Sequence, residues 1–136
     1  MSVLITGSYQ GGLGVELHHG PSGNKISTAA PVDNQGDGSS FSPTDMIAAG
    51  LGACMLTIMG IVGQRNEIAL EGLSFSAKKH MTGPPRRIEK IEVTIQMPSG
   101  LNSEYRKKLE NAALTCPVKN SLGDNVSMPV VFDYPD

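Results

Sequence analysis

The amino-acid sequence predicts an α+β fold in which antiparallel sheets pack on a buried central helix. Three observations carry this: stretches of alternating apolar and polar residues before residue 30 and again between residues 73 and 97, an uncharged run from Met46 to Gly63 that is too long for a strand, and an amphipathic stretch from Asn102 to Thr115. Strands joined by tight turns, with helices set apart from them, place the chain in that class. A chain of 136 residues with 39% apolar and 18% charged residues fits a single domain spanning 1–136 with a modest core. Its formal net charge of −2 offers no electrostatic reason to expect nucleic acid as a partner.

Val3 to Tyr9 reads as a first strand, closed by the turn signal Gly11-Gly12. Leu13, Val15 and Leu17 alternate with Gly14, Glu16 and His18 in the period of a half-buried strand. After a turn at residues 20–24, Lys25 to Ala29 returns as a third strand. Pro31 to Phe41, rich in Gly, Ser, Asp and Asn, is a loop long enough to be a candidate functional segment.

Ser42 is a plausible helix cap, with Pro43 at the first helical position and Asp45 in the first turn. From Met46 to Gly63 apolar residues occur on every face. Such a helix must be surrounded by protein or by lipid. Its length just allows a membrane span, but Gly50, Gly52, Gly60, Gly63 and Thr57 dilute it, and neither flank carries an aromatic belt or a basic cluster. A helix covered by sheet and by a partner chain is therefore expected, with no membrane.

Leu73 to His80 and Ile88 to Met97 alternate again and form a hairpin about Gly83-Pro84-Pro85. Asn102 to Thr115 presents Tyr105, Leu109, Ala112 and Cys116 at helical spacing, with Glu104, Arg106, Lys107 and Glu110 facing water. Pro117 breaks the chain at Cys116. Val118 to Leu122 is a short helix, and Val126 to Tyr134 a final strand.

The chemistry rests on two cysteines, Cys54 and Cys116. Met1 to Gln10 has no basic start, long apolar stretch or cleavage site, so a cytoplasmic, reducing location is expected, where a permanent disulfide is rare. The two thiols are then either buried small hydrophobes or working groups. Cys54 lies midway along the apolar helix, where desolvation disables a thiol unless a cation stands nearby. Cys116 precedes Pro117, a typical first helical residue, which brings its sulfur to a helix N-terminus where backbone N–H groups favour thiolate. Both point inward, on two helices that can bring them together. Zinc needs further ligands, and His18, His19 and His80 lack a ligand spacing, so neither a metal nor another cofactor is expected.

The run Ser42-Pro43-Thr44-Asp45-Met46-Ile47-Ala48-Ala49-Gly50-Leu51-Gly52-Ala53-Cys54 resembles the central-helix motif of the OsmC/Ohr family, and Ala113-Leu114-Thr115-Cys116-Pro117-Val118 resembles its second-cysteine motif. The order of elements is similar as well, so the resemblance covers nearly the whole chain. It implies an OsmC-like intertwined homodimer with two active sites at the subunit interface. It also implies that Cys54 is the peroxidatic residue, oxidised by an organic hydroperoxide or peroxide to a sulfenic acid, and that Cys116 resolves it to a disulfide. A dithiol reductant restores both by thiol–disulfide exchange.

One departure from the family pattern stands out. The best-studied peroxidases of the family place a Glu directly after the motif's Pro and use an Arg from the N-terminal strands to hold the first thiolate ionised. Here Thr44 follows Pro43, then Asp45, and no Arg precedes Arg65. Lys25, the one Lys or Arg in the first 64 residues, is the first candidate for activation, with Thr44 and Asp45 beside it as candidates. Lys does not replace a bidentate Arg. The chain thus resembles the broad OsmC-like branch more than the dedicated hydroperoxide reductases. A non-enzymatic protein that binds a small apolar ligand, or senses redox state, is the alternative.

Overall fold

A computed structural model describes all 136 residues, which fall into two compact units, Met1–Ile47 and Ala48–Asp136. The first unit holds an antiparallel sheet of β1 (Ile5–Gly11), β2 (Gly14–His19) and β3 (Lys25–Thr28), in that order. β1 starts and ends two residues later than the sequence pattern suggests. Gly11, Gly12 and Leu13 all take positive φ, so the turn is tight and pairing runs through a bulge to Gly11 opposite Gly14. β1 is exposed along its whole length, and Leu4, Ile5, Tyr9 and Ile26 are among the exposed large apolar residues. The loop after β3 is folded tightly: Gly36 and Asn34 both donate to the Pro31 carbonyl, and Gly38 donates to that of Ala30. A side chain at Gly36 would collide with the Ala30 backbone.

Helix α1 (Pro43–Arg65) starts on a capping box. The Asp45 N–H donates to the Ser42 hydroxyl at 3.1 Å, and the Ser42 N–H donates to the Asp45 carboxylate at 2.9 Å. By length and composition α1 is apolar enough to cross a membrane, with a mean hydropathy of 2.0 over its apolar window, a third of which is buried inside the fold. Within the chain the helix buries one stripe, Ala48, Leu51, Gly52, Met55, Met59 and Gly63, at the spacing of one helical face. The opposite face, with Ala53, Thr57 and Ile61, is exposed, and Cβ atoms at Gly50 and Gly60 would meet open space. Gly52 is different, because a Cβ there would fall inside the Phe75 ring.

The second unit carries β4 (Ser74–Thr82), β5 (Arg87–Gln96) and β6 (Val130–Asp133), with α2 (Ser103–Leu114) and α3 (Pro117–Ser121) between the last two. β4 and β5 form the antiparallel hairpin, with a bulge at His80/Met81. The expectation of purely antiparallel sheets is corrected here: β6 runs parallel to β5, Val93 to Gln96 facing Val130 to Asp133. Residues 97–129, with both helices, cross over the sheet between them, and a connection of that length is what parallel pairing needs. β6 is also shorter than the apolar run around it. Pro129 lacks an N–H, and ahead of it only an isolated bridge, Lys90 to Ser127, reaches β5.

The core draws Leu51, Met55 and Met59 from α1, Ile91, Val93 and Ile95 from β5, and Leu109, Ala112, Ala113 and Cys116 from α2 and its end. Asn102 caps α2 by accepting the Tyr105 N–H at 2.8 Å.

Candidate functional site

Cys54 lies at the edge of the buried stripe of α1, one residue before the fully buried Met55. It is half-buried and packs against the core cluster that contains Cys116. The backbone fixes Cys116 from both sides. Helix α2 ends at Leu114, and the Thr115 N–H turns back to the Ala112 and Ala113 carbonyls. The residue before a proline avoids helical geometry, and Cys116 is extended, at φ −67° and ψ 149°. It is therefore the N-cap of α3, and its Sγ accepts the Lys119 N–H at 3.4 Å while its carbonyl accepts the Asn120 N–H at 3.0 Å. No surface of Cys116 reaches solvent.

The two thiols interact. Burial pushes the Cys116 thiol above its ordinary range, the Lys119 N–H pulls it back, and the hydrogen bond and charge of Cys54 push it up again. With Cys116 held as a thiol, its S–H faces the Cys54 sulfur. Neither cysteine is in a disulfide. A half-buried thiol beside a fully buried one, on a backbone-fixed N-cap, is an arrangement able to pass between dithiol and disulfide.

The remaining candidates belong to the first unit. Lys25 opens β3 opposite His18 and is exposed. Thr44 and Asp45 stand at the capped start of α1, where the Thr44 hydroxyl is 3.2 Å from that of Ser42. His18 pairs with Glu16 at 2.8 Å, and His19 with the Ser22 hydroxyl at 2.6 Å. No group of three or more His, Cys, Asp or Glu assembles as a metal site. A surface pocket of about 350 Å³ on the β4–β6 sheet is lined by Ser76, Lys78, Glu92, Thr94, Pro129 and Val131 among others, and no cysteine lines it.

Two clusters escape sequence reasoning. At the end of the chain, the Tyr134 hydroxyl donates to Glu110, Arg106 lies 4.1 Å over the Tyr134 ring, and Asp136 takes Arg106 at 3.1 Å and the Gly100 N–H at 2.9 Å. Burial, and then the Glu110 hydrogen bond, push the Tyr134 hydroxyl well above its ordinary range. These contacts fasten α2, which ends beside Cys116, and they join residues too far apart in sequence for any local pattern to show. On the hairpin, His80 bonds Glu92 at 2.6 Å and holds that carboxyl below its ordinary range. The strand register was the one signal able to suggest this second pair.

Comparison with known proteins follows the same lines. The family model described as OsmC-like protein matches residues 36–130. A structure from Psychrobacter arcticus 273-4, described as an osmotic stress induced and detoxification response protein, is 39% identical, covers 97% of this chain and 96% of its own, and superposes with a TM-score of 0.90. An OsmC like protein from Mycoplasma pneumoniae, 16% identical, superposes at 0.83 over 98% of this chain and 97% of its own. An organic hydroperoxide resistance protein OsmC from Legionella pneumophila, 20% identical, superposes at 0.77 with the same coverage. No curated protein matches the chain.

Proposed function

The chain belongs to the OsmC-like protein family, and from that premise we propose that it is a thiol-dependent peroxidase that reduces organic hydroperoxides through a Cys54/Cys116 cycle. The observation that carries this reading is the contact between a half-buried Cys54 and a Cys116 held as a thiol at the N-cap of α3. In the cycle the Cys54 thiolate takes an oxygen from the peroxide and becomes a sulfenic acid, Cys116 displaces that oxygen to form the disulfide, and a dithiol reductant restores both. Solved relatives described as organic hydroperoxide resistance proteins share the fold and support the substrate class.

Titration of the reduced protein with cumene hydroperoxide, and in parallel with hydrogen peroxide, tests it. The expected result is loss of two thiols per organic hydroperoxide consumed, with a Cys54–Cys116 disulfide found by peptide mapping, and a slower reaction with hydrogen peroxide. Thiols that survive a modest excess of both oxidants sink the reading. So does oxidation that stops at a sulfinic acid on Cys54. The alternative, a non-enzymatic small-ligand-binding or redox-sensing protein, takes its support from the scarcity of cations: Lys25 is the one Lys or Arg before Arg65. It is favoured if Lys25→Met leaves the pH profile of Cys54 alkylation unchanged and the wild type titrates above about 8.5, the value of an unactivated thiol.

The working form is a homodimer with its sites at the subunit interface. In a single chain the Ala53, Thr57 and Ile61 face of α1 is open, with Ile61 39% exposed, and β1 is uncovered throughout. A second copy covers such faces better than water does. Sedimentation equilibrium is expected to show a dimer at micromolar concentration, and a folded monomer there excludes this assembly. A cytoplasmic location accords with two reduced cysteines. Neither nucleic acid nor a membrane is a partner in this reading.

A further inference from the structure

A hydroperoxide cut by a thiolate expels an alkoxide, a strong base that must be protonated as it leaves. The groups that act on the Cys116 thiol are Cys54 and the backbone N–H groups of Lys119 and Val118; no charged side chain is among them. Cys116 is fully buried, so water does not reach its sulfur. The one proton donor the fold places against the Cys54 sulfur from this side is the S–H of Cys116. Resting on the peroxidase reading above, we propose that Cys116 is the general acid of the peroxide-cleaving step as well as the nucleophile of the step that follows.

The two steps balance. The Cys54 thiolate attacks the terminal oxygen of ROOH, the S–O bond forms and the O–O bond breaks. Sulfur gives up two electrons and the peroxide takes them. The departing alkoxide removes the proton from Cys116 Sγ and leaves as ROH. That transfer converts Cys116 to a thiolate at the moment a sulfenic acid appears beside it. The new thiolate already holds the Lys119 N–H at 3.4 Å, a donor that favours the charged form. It attacks Cys54 Sγ and expels hydroxide, which solvent protonates, and the S–S bond forms. The sum is one thiolate, one thiol and one hydroperoxide giving a disulfide, an alcohol and hydroxide. A single proton thus completes the first step and prepares the second, without a cation at the site.

The test separates an acid from a mere resolving thiol through the leaving group. tert-Butyl hydroperoxide expels a strongly basic alkoxide, whereas peracetic acid expels acetate, which needs no proton. Single-turnover formation of the Cys54 sulfenic acid is followed by trapping in wild type, Cys116→Ser and Cys116→Ala, with both oxidants. The expected result is a loss of about tenfold or more with tert-butyl hydroperoxide in both variants, the lower end of a general acid's contribution, and an unchanged rate with peracetic acid. The ratio of the two oxidants cancels any difference in folded fraction. Equal rates with tert-butyl hydroperoxide in all three proteins overturn the proposal. So does equal slowing with both oxidants, which marks a displaced or less ionised Cys54. Should the wild type alkylate normally with iodoacetamide yet consume neither oxidant, the peroxidase reading itself falls, and the acid role with it.

Discussion

Gly52→Leu is expected to leave no folded protein at room temperature, and Gly52→Ala to lower the urea midpoint clearly. The position lies in the buried stripe of α1, and a Cβ built there overlaps three carbons of the Phe75 ring. Alanine gains about 1 kcal/mol of helix propensity over glycine. Against this stands overpacking, typically about 1–3 kcal/mol, since Phe75 is packed against the core and cannot swing clear without opening it. The net for Ala is a loss of about 1–2 kcal/mol. Leucine adds three further carbons in the same place, and its cost approaches the whole stability of a small domain, about 5–15 kcal/mol. Urea denaturation at fixed protein concentration measures both. An alanine variant as stable as wild type removes the claim that the ring and the helix backbone need each other.

Cys54→Ser is expected to reduce hydroperoxide consumption to the rate of protein-free buffer, and to leave Cys116 inert. A serine hydroxyl is no nucleophile toward peroxide without a base, and nothing charged acts on its neighbour. Cys116 does not take over, because burial holds it as a thiol and no part of it is exposed. Iodoacetamide at neutral pH should therefore modify Cys116 in the native variant far more slowly than after unfolding in urea. Peroxide consumption by Cys54→Ser at a measurable fraction of the wild-type rate assigns the chemistry to Cys116 and reverses the two roles.

Most of the element order was legible because each segment carries its own period: alternation in β2 and β5, an unbroken apolar run in α1, the 3–4 spacing of Tyr105, Leu109 and Ala112 in α2. Cys116 as a helix cap was legible from Pro117, since proline acts on its immediate neighbour. The direction of β6 was not. A parallel and an antiparallel strand have the same period of two, so Val130 to Asp133 looks alike either way, and pairing is decided by the crossover that precedes it. The contact between the two thiols, 62 residues apart, is likewise a property of packing; local pattern alone only pointed both inward. The Tyr134–Glu110–Arg106–Asp136 cluster carries no signal at all, because four ordinary surface residue types meet only once α2 and β6 are in place.

The parallel seating of β6 also orders events in time. The β4–β5 hairpin closes over the short turn at residues 83–86, a loop-closure cost of roughly 1 kcal/mol, whereas bringing β6 to β5 across residues 97–129 costs roughly 3 kcal/mol. The hairpin thus forms early, and the third strand waits until α2 and α3 have packed. Cys116 lies inside that crossover, so its sulfur meets Cys54 only in the late, nearly complete chain. A folding intermediate of this protein holds two separated thiols with no means of closing on each other, and the dithiol pair comes into being with the last strand.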